Sequence, residues 1–167
     1  MKPTLVLLCG PNGAGKTTVA RALATKYRGL HIQIDMFSSM SRGKFWYTRK
    51  NNQDKIALVL GTLDAAMQKT KYRFFFVDGV LIFRFMFVAL EQWCNRWGIR
   101  FIPIFLTGNF EDLNFRVETR KALRKDVNEE LPAFYETFDF KKAHRVVSTG
   151  KKPKAVISQI TKHLTRG

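Results

Sequence analysis

Short apolar runs along this chain alternate with segments whose apolar residues recur every three or four positions. Thr4–Cys9 (TLVLLC) has no polar face and reads as a strand buried on both sides. A glycine-rich loop follows, and then a helix over Lys16–Tyr27. Residues 31–35 (HIQID) read as a second strand, whereas residues 36–50 show no clear period and read as an irregular, partly helical segment. Asn51 or Asn52 is placed to cap a helix running to about residue 70, with Ile56, Leu60 and Leu63 on one face. Residues 73–78 (RFFFVD) form a third strand, and a helix over 83–97 stops at Gly98. Residues 100–106 (RFIPIFL) form a fourth strand, in which Pro103 suggests a bulge or a sheet edge. Asn109 caps a helix over about 110–125, and 127–138 is a further helical stretch. Residues 145–147 make a short last strand, and Pro153 opens a last helix to about residue 164.

Strands and helices in strict alternation predict a parallel α/β sheet covered on both faces and joined by right-handed crossovers. No repeat, low-complexity tract or linker divides residues 1–167, so one domain is expected. The longest apolar run is interrupted by Asp78 and Arg84, which excludes a membrane-spanning helix there. The apolar start, residues 5–9, is too short for a signal peptide. Cys9 and Cys94 stand apart in apolar settings and are expected as buried, reduced thiols, in keeping with a cytoplasmic protein.

Charge changes this otherwise ordinary composition. The formal net charge is +16, and residues 1–110 hold only five acids: Asp35, Asp54, Asp64, Asp78 and Glu91. Such a chain attracts polyanions, among them nucleotides, nucleic acid and phosphorylated metabolites.

The sharpest chemical signal is Gly10-Pro11-Asn12-Gly13-Ala14-Gly15-Lys16-Thr17, a full match to the phosphate-binding G-x-x-x-x-G-K-[ST] loop between a strand and a helix. Gly10, Gly13 and Gly15 permit inward-facing amides, and the helix start adds partial positive charge. Lys16 is expected on the β- and γ-phosphates of ATP, Thr17 on Mg²⁺, and Thr18 beside them in the helix's first turn. In open α/β sheets a ligand lies beyond the carboxyl ends of the strands, where Asp35 and Asp78 each close a strand. Asp35 is a candidate general base, while Asp78 either holds Mg²⁺ through water or binds a substrate hydroxyl. Arg116, Arg120 and Arg124, spaced four apart, line one helix face with Lys121 and Lys125 beside them. They suit either phosphate charge in a closing lid or a solvated face paired with Asp112, Glu118 and Glu129.

Taken in order, these parts resemble the small P-loop kinases. That group includes nucleoside and nucleoside-monophosphate kinases, gluconate kinase, nicotinamide riboside kinase, chloramphenicol phosphotransferase and the phage polynucleotide 5′-kinase. The resemblance spans nearly the whole chain, down to VVSTG at 146–150 and the helix after it. It implies a P-loop NTPase three-layer sandwich with a five-stranded parallel sheet of order 2-3-1-4-5 and a small lid, about residues 116–128. It implies an ATP-dependent phosphotransferase with Mg²⁺, in which Asp35 activates an acceptor hydroxyl, Arg116 packs on the adenine and Arg120 reaches phosphate. Asp35 is followed by Met36-Phe37, unlike the acid-rich signature of uridine and riboside kinases.

The substrate segment, about 36–50, sets Arg42, Lys44, Arg49 and Lys50 around Phe45, Trp46 and Tyr47. Arg42 and Trp46 are candidate substrate contacts, by phosphate pairing and by stacking; the aromatics equally suit plain packing. The expected acceptor is a nucleoside-like molecule, a phosphorylated metabolite or a polynucleotide 5′-end. A nucleoside monophosphate and a nucleic-acid-binding ATPase are the alternatives.

Overall fold

The uninterrupted apolar run at the start of the chain becomes the central strand, because a strand flanked by others and covered on both faces has no side on which to place a polar residue. A computed structural model describes residues 2–40, 48–69, 71–81, 83–119, 143–148 and 150–165. In it β1 (Thr4–Cys9) is buried at every position. Around it lie β2 (Leu30–Gln33), β3 (Phe74–Asp78), β4 (Arg100–Thr107) and β5 (His144–Val147), in the order β2-β3-β1-β4-β5. Every neighbouring pair is parallel, so all the strands end on one rim.

Alternate side chains divide the core in two. Val6, Leu8, Phe74, Phe76 and Ile104 face α1 (Lys16–Tyr27), α4 (Phe110–Glu118) and α5 (Pro153–Thr165). Leu5, Leu7, Phe75 and Val77 face α2 (Arg49–Lys69) and α3 (Arg84–Arg96). The three layers match the expected sandwich. Cys9 and Cys94 are buried free thiols, as expected, and burial pushes both thiols up to about 12. No helix among the described residues is long and apolar enough to cross a membrane.

Four local expectations are corrected. Strand β2 stops at Gln33, and residues Ile34–Met40 tighten into a 3₁₀ turn, so Asp35 stands just past the strand and not on its last residue. Ile34 is buried there, and its Cβ lies 2.8 Å from where a Cβ on Gly79 would be, so the turn packs into the space that glycine leaves. The cap of α2 is Thr48, whose Oγ1 accepts from the Asn51 backbone, while the Asn52 side chain donates to the Thr48 carbonyl. The buried stripe of α2 runs through Ile56, Val59, Leu63 and Ala66, with Leu60 at its margin. Pro103 lies in a strand paired on both sides and makes no bulge, since β4 holds continuous register with β1 from Arg100 to Phe105. The Arg100 N–H points to β1, so by alternation the missing N–H of Pro103 faces the other side, where β5 pairs only from Ile104 onward. The 127–138 helix expectation lies outside the described residues.

One carboxylate staples the far ends of α2 and α3. Asp64 Oδ1 accepts from Trp93 Nε1 at 2.7 Å, Trp97 Nε1 at 2.8 Å and Arg96 Nη2 at 3.4 Å. Trp93 is only 2% exposed, so its N–H has no access to water as a substitute partner. Asp64→Ala is expected to lower stability by about 1–3 kcal/mol, the cost of an orphaned buried donor. Urea unfolding followed by tryptophan fluorescence measures it, and Asp64→Asn, which keeps one acceptor oxygen, is expected to recover part of the loss.

Candidate active site

The loop between β1 and α1 is shaped by three glycines with positive φ: Gly10 at 140°, Gly13 at 80° and Gly15 at 82°. A Cβ on Gly10 would stand 2.1 Å from the Leu106 carbonyl oxygen of β4, and one on Gly13 would stand 2.5 Å from the Leu113 carbonyl oxygen of α4. The loop is therefore pressed against two neighbouring elements, and only glycine fits. Gly15 has open space around it; its left-handed backbone, at the cap of α1, is what disfavours a side chain. Asn12, Ala14 and Lys16 are buried, and Thr18 is exposed in the first turn of α1. Lys16 Nζ folds across the loop and donates to the Pro11 carbonyl at 2.9 Å. Arg116 of α4 donates through Nη1 to the Gly13 carbonyl at 3.3 Å, which braces the loop from outside. Curved backbone, helix start and lysine together make a cradle for an oligophosphate.

Asp78, at the last residue of β3, meets this loop because the β1–β3 ladder continues into it: the Gly79 N–H donates to the Leu8 carbonyl. Its carboxylate is fully buried, which requires donors on its oxygens. Thr17 Oγ1 donates to Oδ2 at 2.6 Å, and His31 Nε2 lies 2.5 Å from Oδ1. A carboxylate only accepts, so the imidazole proton sits on Nε2. The two candidate cation residues are thus in direct contact. Among the described residues no group of three or more His, Cys, Asp or Glu side chains is placed to hold a metal ion; Thr17 and Asp78 offer hard oxygen donors of the kind Mg²⁺ takes together with substrate phosphates. His31 escaped the sequence reading. The signal that could have found it is a polar residue at the start of a strand, on the face that Asp78 shares.

Asp35 lies on the same rim. Its pKa is held above the usual carboxylate value, chiefly by burial; Lys16 and Lys55 oppose that shift, Asp78 adds to it, and a hydrogen bond from the Val80 backbone opposes it. Lys55 of α2 is buried, and its own pKa is lowered by burial and partly restored by Asp35. Asp35 therefore feels two lysines: one belongs to the phosphate loop and the other to the helix that packs over the 3₁₀ turn. Lys55 also escaped the sequence reading. Extending the buried α2 stripe back one turn from Ile56 and Val59 gives Asn52 and Lys55, both polar and both buried.

The structure brings together Lys16, Thr17, Asp35, Asp78 and Arg116. Arg42, Trp46, Arg120, Arg124, Lys121, Lys125 and most of the expected lid lie outside the described residues. Other basic residues are placed away from this site. Lys69, Lys71 and Arg73 precede β3, at the rim where the strands begin, and Arg100 donates to the His163 and Leu164 carbonyls of α5.

Comparison with known proteins agrees with this geometry. The family described as "ATPase family associated with various cellular activities (AAA)" matches residues 6–80, which carry the loop, Asp35 and Asp78. No curated protein matches the sequence significantly. Among solved structures, a sugar kinase from a Janibacter species is 16% identical, with 96% of this chain and 94% of that one covered and a TM-score of 0.73. A gluconokinase from Sinorhizobium meliloti is 17% identical, covering 97% and 95%, with a TM-score of 0.67. A shikimate kinase from Acinetobacter baumannii, in complex with shikimate, is 18% identical, covering 96% and 92%, with a TM-score of 0.66. By its loop, its strand order and these full-length likenesses, the chain has the P-loop nucleoside triphosphatase fold in the form carried by small kinases.

Proposed function

We propose that the protein is an ATP-dependent phosphotransferase that moves the γ-phosphate to a hydroxyl on a small acceptor. The observation that carries this reading is Asp35, a carboxylate of raised pKa beside the phosphate-loop lysine and outside the loop itself. Binding a nucleotide needs the loop, Lys16 and Thr17. A second acid that feels Lys16 but belongs to the opposite wall serves an attacking group.

In this mechanism the loop amides and Lys16 hold the β- and γ-phosphates in place. Asp35 accepts the proton of the acceptor hydroxyl as its oxygen forms a bond to the γ-phosphorus, and the bond from that phosphorus to the β-phosphate oxygen breaks. A carboxylate of raised pKa is the stronger base for this step. Thr17 and Asp78 would hold Mg²⁺, which supplies charge neutralisation on the phosphates. Arg116 keeps Gly13 in place and lies on the nucleotide side. Arg120 is proposed to reach phosphate, with Arg42 and Trp46 on the acceptor. The solved kinases of this fold named above act, by their names, on gluconate, a sugar and shikimate, so these join nucleosides, phosphorylated metabolites and 5′-hydroxyl oligonucleotides as acceptors to test.

Transfer of label from [γ-³²P]ATP to one of these acceptors is expected, and rapid release of free phosphate with no labelled acceptor would overturn the assignment. Asp35→Asn is expected to lower kcat by roughly 10²–10⁴-fold, the range of a general base. A nucleoside-monophosphate kinase would lose far less, because its acceptor phosphate needs no base. The pH profile gives an independent check. The acid limb of kcat/KM is expected above the usual aspartate pKa of about 4. Lys55 favours the ionised form of Asp35, so Lys55→Met is expected to move that limb to still higher pH. An unmoved limb would show that Lys55 does not act on the base.

A further inference from the structure

Asp78 has two oxygens with different partners, and only one of them belongs to the phosphate loop. Thr17 Oγ1 donates to Oδ2, and His31 Nε2 approaches Oδ1. The β2–β3 register places His31 opposite Phe76 and Gln33 opposite Asp78. Paired residues share a face, so His31 and Asp78 are on one side of the sheet, two positions apart along it. That is the α1 side, where Phe76 packs. The imidazole thus reaches forward from the strand start to a carboxylate 47 residues away in sequence.

We propose that His31 is a positioning residue for the cation end of the nucleotide site. Its Nε2–H holds the Asp78 carboxylate in the one orientation in which the other oxygen takes the Thr17 proton. The Thr17 hydroxyl has one proton, and while that proton is held by Asp78 its lone pairs face the loop. Asp78 is fully buried with the His31 ring in place, and a phenyl ring at position 31 would keep it covered without offering a donor. A carboxylate with one anchor can turn about its terminal torsion, which is broad and two-fold. Outer partners of this kind set the affinity of a metal site without touching the metal. The inference rests on the nucleotide reading above and adds a residue outside the loop to it.

The test measures binding, not turnover. Calorimetric titration of the full chain with a non-hydrolysable ATP analogue, in Mg²⁺ and in EDTA, gives the gain in affinity that Mg²⁺ supplies. His31→Phe keeps the ring and removes the donor, whereas His31→Gln keeps a donor at similar reach. The Mg²⁺-dependent gain is expected to fall about tenfold or more in His31→Phe. It is expected to return in His31→Gln, with affinity in EDTA unchanged in both. Should His31→Phe melt early, His31→Asn, whose amide stops short of Asp78, is expected to show the same loss. An unchanged Mg²⁺ gain in the donor-less variants overturns the inference and leaves the nucleotide site standing. So does a parallel fall in Mg²⁺ and in EDTA, which would mark His31 as a support of the fold only. Wild-type protein that binds the analogue in neither condition removes the nucleotide reading and this inference together.

Discussion

A carboxylate with no access to water has to find donors for both oxygens within the protein, and in this molecule that requirement binds three separate elements to one point. Asp78 takes a hydroxyl from α1 and an imidazole from β2 while lying on β3. Neither contact exists unless β3 lies between β1 and β2, with all three strands parallel and ending on the same rim. The sheet order is therefore more than a packing solution. It is the arrangement that lets the phosphate loop, which leaves the central strand, share a carboxylate with its neighbour.

Beyond that point the rim carries alternating charge. Lys16, Asp35 and Lys55 come from the loop, the turn after β2 and the first turns of α2. Burial disfavours the ionised form of both Asp35 and Lys55, and each partly relieves the other. Partial burial of opposite charges is a costly way to stabilise a fold, because desolvation offsets most of the Coulomb attraction. It does leave a carboxylate that is neither fully solvated nor fully neutralised and so keeps its affinity for a proton, as the base proposed above requires. The site thus accepts local instability, and the two-sided aromatic and aliphatic core behind it compensates.

The fold was legible in the sequence because its signals are local and redundant. Thr4–Cys9 and Lys16–Tyr27 have the boundaries that their patterns suggest, and the glycine loop is one contiguous motif whose residues act on one another. What the sequence hid depends on distance. Thr48 caps α2 in place of Asn51 or Asn52, because its hydroxyl is the one that takes a first-turn N–H, that of Asn51. Pro103 looks disruptive until β5 is known to begin one residue later along β4. His31 and Lys55 have no motif of their own. Each becomes meaningful only when a strand register or a helix face sets it against an acid remote in the chain. Asp35 reads as the last residue of a strand, yet its position in a 3₁₀ turn follows from Ile34 seating against Gly79, a contact with no trace in the local pattern.

The same distance rule bears on which parts of the site are rigid. Helix α2 is anchored at its far end, where Asp64 gathers two indoles and a guanidinium from the last turn of α3 and its cap residue Trp97. Its first turns carry polar groups in place of the apolar stripe, Asn52 tied to Thr48 and Lys55 facing Asp35. An apolar residue at position 55 would pack that end as firmly as the rest and would leave Asp35 with Lys16 as its main cation. A lysine there divides the helix into a half that is held by the core and a half whose charge answers to the rim. The end of α2 nearest Asp35 is therefore the one that hydrophobic burial controls least. Under the proposed function, acceptor selectivity can change there while the phosphate loop, pressed against Leu106 and Leu113, stays as it is.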